Sequence, residues 1–156
     1  MLPIAQAAIE LLTRAGMTIA TCESLTGGLI CATLVDVPGA SRVVRGGLIT
    51  YQTDTKTLLA GVDAGMITDH GVVSAEVARA MAEGTRQRLG VDIAVSATGM
   101  ASPGGADEPP AGTVFVGVAS GKGVRAIRLN LSGDRQEIRH QTVEAAIRAI
   151  MEEVST

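Results

Sequence analysis

The sequence predicts an α/β fold: a single-domain, three-layer α/β/α sandwich with a mixed, mostly parallel sheet and a C-terminal hairpin plus helix. Three observations predict it. Early apolar runs alternate with segments of helical period, the order that gives parallel strands joined by crossover helices. Gly121-Lys122-Gly123 joins two later apolar runs as a hairpin. The 156 residues, 46% of them hydrophobic, suffice for one sizeable core but not for two domains. With no Trp, one Tyr (Tyr51) and one Phe (Phe115), that core is aliphatic.

The elements follow in order. Ile4, Ala7, Ala8, Leu11, Leu12 and Ala15 recur at helical spacing, and Gly16 stops that helix. Met17 to Thr21 reads as a short buried strand. A helix runs from after Gly28 to about Asp36 and is stopped by Val37-Pro38-Gly39. Val43 to Tyr51 is the next strand, and Gly46-Gly47 inside it marks a bulge or close packing. Thr53, Asp54 and Thr55 offer caps for a short helix, Lys56 to Ala60. Ser74 caps a longer helix that Gly90 ends, and Val91 to Ala97 is a buried strand. The Gly- and Pro-rich stretch from Thr98 to Gly112 is a loop long enough to suggest function. Thr113 to Ser120 and Val124 to Leu131 form the hairpin. Asp134 with Glu137 resembles a capping box for a last helix reaching Val154.

Composition excludes several functions. A net charge of −3 argues against a nucleic-acid binder, and the lack of aromatics argues against a base-stacking platform. No apolar run reaches the ~18 residues of a membrane span. The start, Met1-Leu2-Pro3-Ile4, has no signal-peptide pattern, and Cys22 and Cys31 make no disulfide framework, so the expected compartment is the cytoplasm. Cys22, Cys31, His70 and His140 lack metal-ligand spacing, so no metal is expected. His70 reads as part of a turn. A homo-oligomer, most simply a two-fold dimer, is expected.

Three constellations can carry chemistry. The first is Ser24, Tyr51 and Lys56. In a parallel sheet the first two strands end at the same edge, where α/β sites form. Ser24 is a weak nucleophile that needs a base. Lys56 can be that base only if burial or a nearby cation lowers its pKa, and Arg42 and Arg45 offer such a cation. Tyr51 can relay the proton or orient the lysine. The same residues also fit a helix cap, a surface aromatic and a solvated charge. The turn Thr26-Gly27-Gly28 adds backbone N–H groups at a helix start. The second constellation is Thr98-Gly99 through Gly104-Gly105, a loop after a strand that can cradle an anion or simply turn. It matches neither a Walker A loop nor a dinucleotide fingerprint. The third is Arg135 and Arg139 at the start of the last helix, either an anion clamp or partners in local pairing.

Together these segments resemble the C-terminal domain of the CinA (competence/damage-inducible protein A) family. The family pattern A-E-S-C-T-G-G corresponds to Cys22-Glu23-Ser24-Leu25-Thr26-Gly27-Gly28. G-G-x-I-x-Y-x-x-x-x-K corresponds to Gly46 through Lys56, and T-G-I-A-G-P-G-G to Thr98 through Gly105. G-T-V follows at Gly112-Thr113-Val114, and G-D-R-x-x-I-R at Gly133 to Arg139. Each motif is weak alone, whereas the ordered set is specific and covers nearly the whole chain. The resemblance, which is to the stand-alone nicotinamide mononucleotide deamidase form, implies hydrolysis of that nucleotide's carboxamide to nicotinic acid mononucleotide and ammonia. It implies Ser24 as nucleophile, aided by Lys56 and Tyr51, with no metal or organic cofactor. The nucleotide's phosphate is expected at Thr98-Gly99, Gly104-Gly105 or Arg135, and the oxyanion at the N–H groups near Thr26, Gly27 and Gly28. Three positions depart from the pattern: Cys22 for alanine, Leu25 for cysteine and Ser102 for glycine. These departures keep open a second class, a catalytically silent nucleotide-binding or protein-interaction module, as well as hydrolysis of another small amide.

Overall fold

In the computed structural model, which describes residues 2–156, helix α1 (Pro3–Ala15) leads into strand β1 (Ile19–Glu23) and helix α2 (Leu29–Val35). A 3-10 turn (Ala40–Arg42) and strand β2 (Val44–Ile49) follow. Next come helices α3 (Thr53–Ala60), α4 (Ala64–His70) and α5 (Ala75–Leu89). Strands β3 (Ile93–Gly99), β4 (Thr113–Ser120) and β5 (Gly123–Asn130) precede the last helix, α6 (Arg135–Ser155). The sheet order is β2-β1-β3-β4-β5. β1 pairs in parallel with β2 and β3, and β4 pairs antiparallel with β3 and β5. Four of the five strands therefore run one way and β4 alone opposes them, the expected mixed, mostly parallel sheet.

The alternation of β1 assigns its side chains to two helical layers. Ile19 joins the large aliphatic core built with Leu12, Ile30, Leu34 and Ile147 of α1, α2 and α6. Ala20 and Cys22 turn to the other face, where Val77 and Met81 of α5 and Ala60 of α3 pack. Among the described residues no helix is long and apolar enough to cross a membrane.

The capped helices match their sequence signals. Gly16 ends α1 in a left-handed conformation, Ser74 accepts from Val77 N–H, and Asp134 and Glu137 form the complete capping box of α6. Other boundaries differ. β1 and β3 each start about two residues later than apolar content predicts. The Asp92 carboxylate accepts from Thr18 N and Oγ1 at 2.8 and 2.9 Å, and this staple occupies the residues ahead of both strands. Helix α3 begins at Thr53, so Thr53, Asp54 and Thr55 lie inside it, and its cap residue, Gln52, makes no side-chain cap bond. Helix α4 was not anticipated; Asp63 caps it, and His70 is its last residue rather than part of a turn. At Gly46-Gly47 both expectations hold. The register with β1 shifts there, and Gly47 brings β2 within reach of Thr21 and Cys31.

Gly84, inside α5, lets that helix cross the end of α3: a Cβ there would overlap the Ala60 carbonyl oxygen. Gly84→Ala is therefore expected to destabilise the protein by about 1–3 kcal/mol through overpacking. Helix propensity alone predicts a gain of ~1 kcal/mol. The urea midpoint reads the sign directly.

Candidate active site

The site is built on the turn between β1 and α2. Glu23, the last residue of β1, is 1% exposed. Its Oε1 accepts from Ile30 N at 2.8 Å, and its Oε2 from Cys31 N at 2.9 Å and Thr21 Oγ1 at 3.0 Å. A carboxylate thus satisfies the orphan donors at the start of α2 and faces the positive end of its dipole. Between Glu23 and α2 the chain turns through Gly27 and Gly28 at φ of 58° and 103°. These left-handed values suit glycine. Ser24 N donates to the Ala97 carbonyl of β3 at 3.0 Å. From α6, Arg139 donates Nε to the Leu25 carbonyl and Nη2 to the Thr26 carbonyl, at 2.9 and 3.1 Å. The turn is held from β3, from α6 and from beneath.

Glu23→Ala strands three donors, two of them buried and one half-buried. Unfolding titrations are expected to show a loss of about 3 kcal/mol, in the range for unsatisfied partners of a buried charged group. Glu23→Gln, which keeps one acceptor oxygen, is expected to lose less.

The Thr50 N–H donates to the Glu23 carbonyl at 2.9 Å, which fixes the exit of β2 beside the turn. Helix α3 then brings Lys56 back under Ser24. Lys56 is 1% exposed. Its Nζ lies 3.0 Å from Ser24 Oγ and donates to the Thr50 carbonyl at 2.6 Å. Burial holds Lys56 below the ordinary lysine range. The sequence offered Arg42 and Arg45 as cations for this purpose, but removal from water does the work. The neighbouring Cys22 thiol is itself pushed up by burial and stays uncharged at neutral pH, so it supplies no negative charge to keep Lys56 protonated. An unprotonated Nζ retains N–H for the Thr50 carbonyl and turns its lone pair to the Ser24 hydroxyl. That is the arrangement of a nucleophile and its base.

Above Ser24 opens a cavity of about 290 Å³, lined by Ser24, Tyr51, Gly99, Ser102, Gly104 and Arg135 among others. Arg135, the first residue of α6, donates Nη1 to Ser102 Oγ and Nη2 to Tyr51 Oη, both at 3.1 Å. Three larger hollows, about 440 Å³ beside α1, about 680 Å³ between α3 and α4 and about 350 Å³ beside the 3-10 turn, contain neither Ser24 nor Lys56. Size is outweighed here by chemistry.

The structure therefore joins Ser24 and Lys56 directly and brings Tyr51, Gly99, Gly104 and Arg135 to the same cavity. It separates others. The Tyr51 hydroxyl is bonded to Arg135 and not to Ser24 or Lys56, so the relay expected of it is not formed in this arrangement; the partner lies 84 residues away in sequence. Thr98 is buried, and its hydroxyl donates to the Val72 carbonyl, so it does not face the cavity. The Gly105 N–H is bound by Glu108, and the Gly27 N–H by the Ser24 carbonyl, so neither is free for an anion. The Thr26 side chain is fully buried, so only its backbone N–H, which has no acceptor among the described residues, remains available. Arg139 is committed to the turn and is no clamp. Sequence reasoning missed Glu23 and the Thr50 carbonyl. Glu23 was detectable in principle, because a carboxylate ending a buried apolar strand must find partners.

A family model described as the CinA C-terminal domain matches residues 2–154. A CinA-like protein of Gemmatimonas aurantiaca is 49% identical over 132 residues, covering 84% of this chain and 31% of that protein. A putative competence-damage inducible protein of Halothermothrix orenii is 47% identical over 139 residues, covering 88% of this chain and 34% of that protein. The chain thus spans about a third of the length of these curated relatives. Among solved structures, the competence/damage inducible protein CihA of Agrobacterium tumefaciens superposes with a TM-score of 0.92 at 35% identity, over 98% of this chain and 94% of that one. A CinA superfamily protein of Klebsiella pneumoniae gives 0.93 at 28% identity, over 97% and 96%.

Proposed function

Because this chain belongs to the CinA C-terminal domain family, we propose that it is an amidohydrolase that converts nicotinamide mononucleotide and water to nicotinic acid mononucleotide and ammonia. The observation that carries the reading is the buried Lys56 amine 3.0 Å from the Ser24 hydroxyl. A lysine so placed costs folding energy and gives none back as an ion pair, which fits a base better than a structural role.

In the proposed reaction neutral Lys56 takes the Ser24 proton as Oγ bonds to the carboxamide carbon. The carbonyl electron pair moves onto oxygen. The Gly27 N–H is already occupied, so the oxyanion falls to the N–H groups of Leu25, Thr26 and Gly28, which have no acceptor among the described residues. One such donor is worth ~3 kcal/mol. Lys56 returns the proton to the amide nitrogen, the C–N bond breaks and ammonia leaves a seryl ester. Water, deprotonated by Lys56, then attacks the ester carbon and Ser24 Oγ leaves with that proton. Arg135 receives the nucleotide's phosphate, and Tyr51 and Ser102 hold Arg135. The exposed Ile49 on edge strand β2 and Val35 at the end of α2 support association as a homodimer.

The test is ammonia and nicotinic acid mononucleotide release from nicotinamide mononucleotide by purified protein. Release that Ser24→Ala abolishes is expected. Tight binding without release would replace the amidase with a silent nucleotide-binding module. Release of ammonia only from other small amides would keep the chemistry and discard the substrate.

A further inference from the structure

Arg135 occupies a place that helix energetics does not explain. It is the first residue of α6, beside the positive end of the helix dipole, where a cation is disfavoured. It belongs to no ion pair among the described residues. Glu108 also lines the cavity, but its carboxylate is turned to the Gly105 N–H. The two groups that do hold the guanidinium, Ser102 Oγ and Tyr51 Oη, are neutral hydroxyls reaching from loops after different strands. Neutral acceptors orient a guanidinium without cancelling its charge, and they consume fewer donors than it carries.

Ser102 is the departure from the family's glycine. Its backbone is not left-handed, since among the described residues only glycines have positive φ, so the serine fits the loop without strain. What it adds is the hydroxyl on Nη1. An exposed arginine tethered at one point still samples several rotamers, whereas one tethered through two of its nitrogens to two separate loops is pre-oriented.

We propose that Ser102 is a positioning residue that, with Tyr51, fixes Arg135 as an unneutralised cation for the phosphate end of the substrate. The phosphate assignment rests on the proposed nucleotide amidase, but the tether does not. Ser102→Gly is expected to raise KM for nicotinamide mononucleotide roughly 5-fold, about the worth of one hydrogen bond, with kcat changed by less than about 2-fold. Ser102→Thr, which keeps the hydroxyl, is expected to restore KM. In an Arg135→Ala background the Ser102→Gly change is expected to add nothing, because the two residues act through one contact. On nicotinamide riboside, which lacks the phosphate, it is likewise expected to change nothing.

Nitrogen-15 relaxation of the Arg135 Nε–H gives a readout that needs no turnover. Order in the wild type that is lost in Ser102→Gly and restored in Ser102→Thr supports the tether, even if the wild type releases no ammonia and the amidase reading falls. Turnover by the wild type with the same KM effect in both Arg135 backgrounds, with a fall in kcat alone, or with no change at all overturns the proposal. So does an Arg135 Nε–H equally mobile in wild type and variant.

Discussion

Ser24→Ala is expected to lower kcat for nicotinamide mononucleotide by roughly 10⁴- to 10⁶-fold, the scale on which serine hydrolases lose their nucleophile, while the protein stays folded. The two halves of that expectation have separate grounds. The loss follows because the missing oxygen is the atom that bonds to the carboxamide carbon, and no hydroxyl stands in for it. The Tyr51 hydroxyl is engaged by Arg135, and the Thr26 side chain is buried. The retained fold follows because the turn does not depend on the Ser24 side chain. Its backbone is held by Ala97, by Arg139 and by the Glu23 carboxylate under α2. Lys56 loses one neighbour but keeps the Thr50 carbonyl. The check is steady-state ammonia release beside thermal denaturation. A wild-type rate in the alanine variant removes Ser24 as nucleophile, and a collapse of the midpoint by more than ~5 °C removes the claim that the turn is independent of it.

The elements legible in the sequence were those whose signals are local. Gly16, Ser74 and the Asp134–Glu137 pair each mark a helix end within one turn of chain, and all three act as read. What was missed depends on contacts far apart in sequence. The starts of β1 and β3 are set by Thr18 and Asp92, 74 residues apart. Helix α4 has no buried residue, so it offers no apolar period to read, only the Asp63 cap. The site divides along the same line. Ser24 is visible because a hydroxyl follows a strand and precedes two glycines. Lys56 is visible as a residue but not as a buried one, because its burial depends on α3 folding back under the β1 turn. The burial of Thr98 was hidden for the same reason. It continues β3, and its hydroxyl donates to the Val72 carbonyl, 26 residues away in sequence.

Lys56→Met is expected to move activity and stability in opposite directions. The rate should fall by at least about 10³-fold, as for loss of a positioned general base. Stability at neutral pH should rise by about 2 kcal/mol, or roughly 4–8 °C. The sign comes from comparing two terms. Methionine forfeits the bond to the Thr50 carbonyl, worth ~1 kcal/mol. It also relieves the burial of an amine that water would otherwise solvate, a penalty of several kcal/mol when that amine is charged. Burial holds the folded Lys56 below its unfolded value of 10.5. Below the folded pKa, both states are protonated and the whole penalty applies. Between the folded pKa and 10.5 the folded state has released a proton that the unfolded state keeps, so folding gains as pH rises. The wild type should therefore close the gap with the methionine variant on going from neutral to alkaline pH. Its amidase rate should climb over the pH range in which folded Lys56 deprotonates, while the small residual rate of the variant should lack that rise. Thermal midpoints and rates of both proteins across a pH series measure all of this together. A methionine variant less stable than the wild type at pH 7 means that Lys56 is held as a structural donor to Thr50. The 3.0 Å approach to Ser24 would then be a consequence of packing, and the base would have to be sought elsewhere in the cavity.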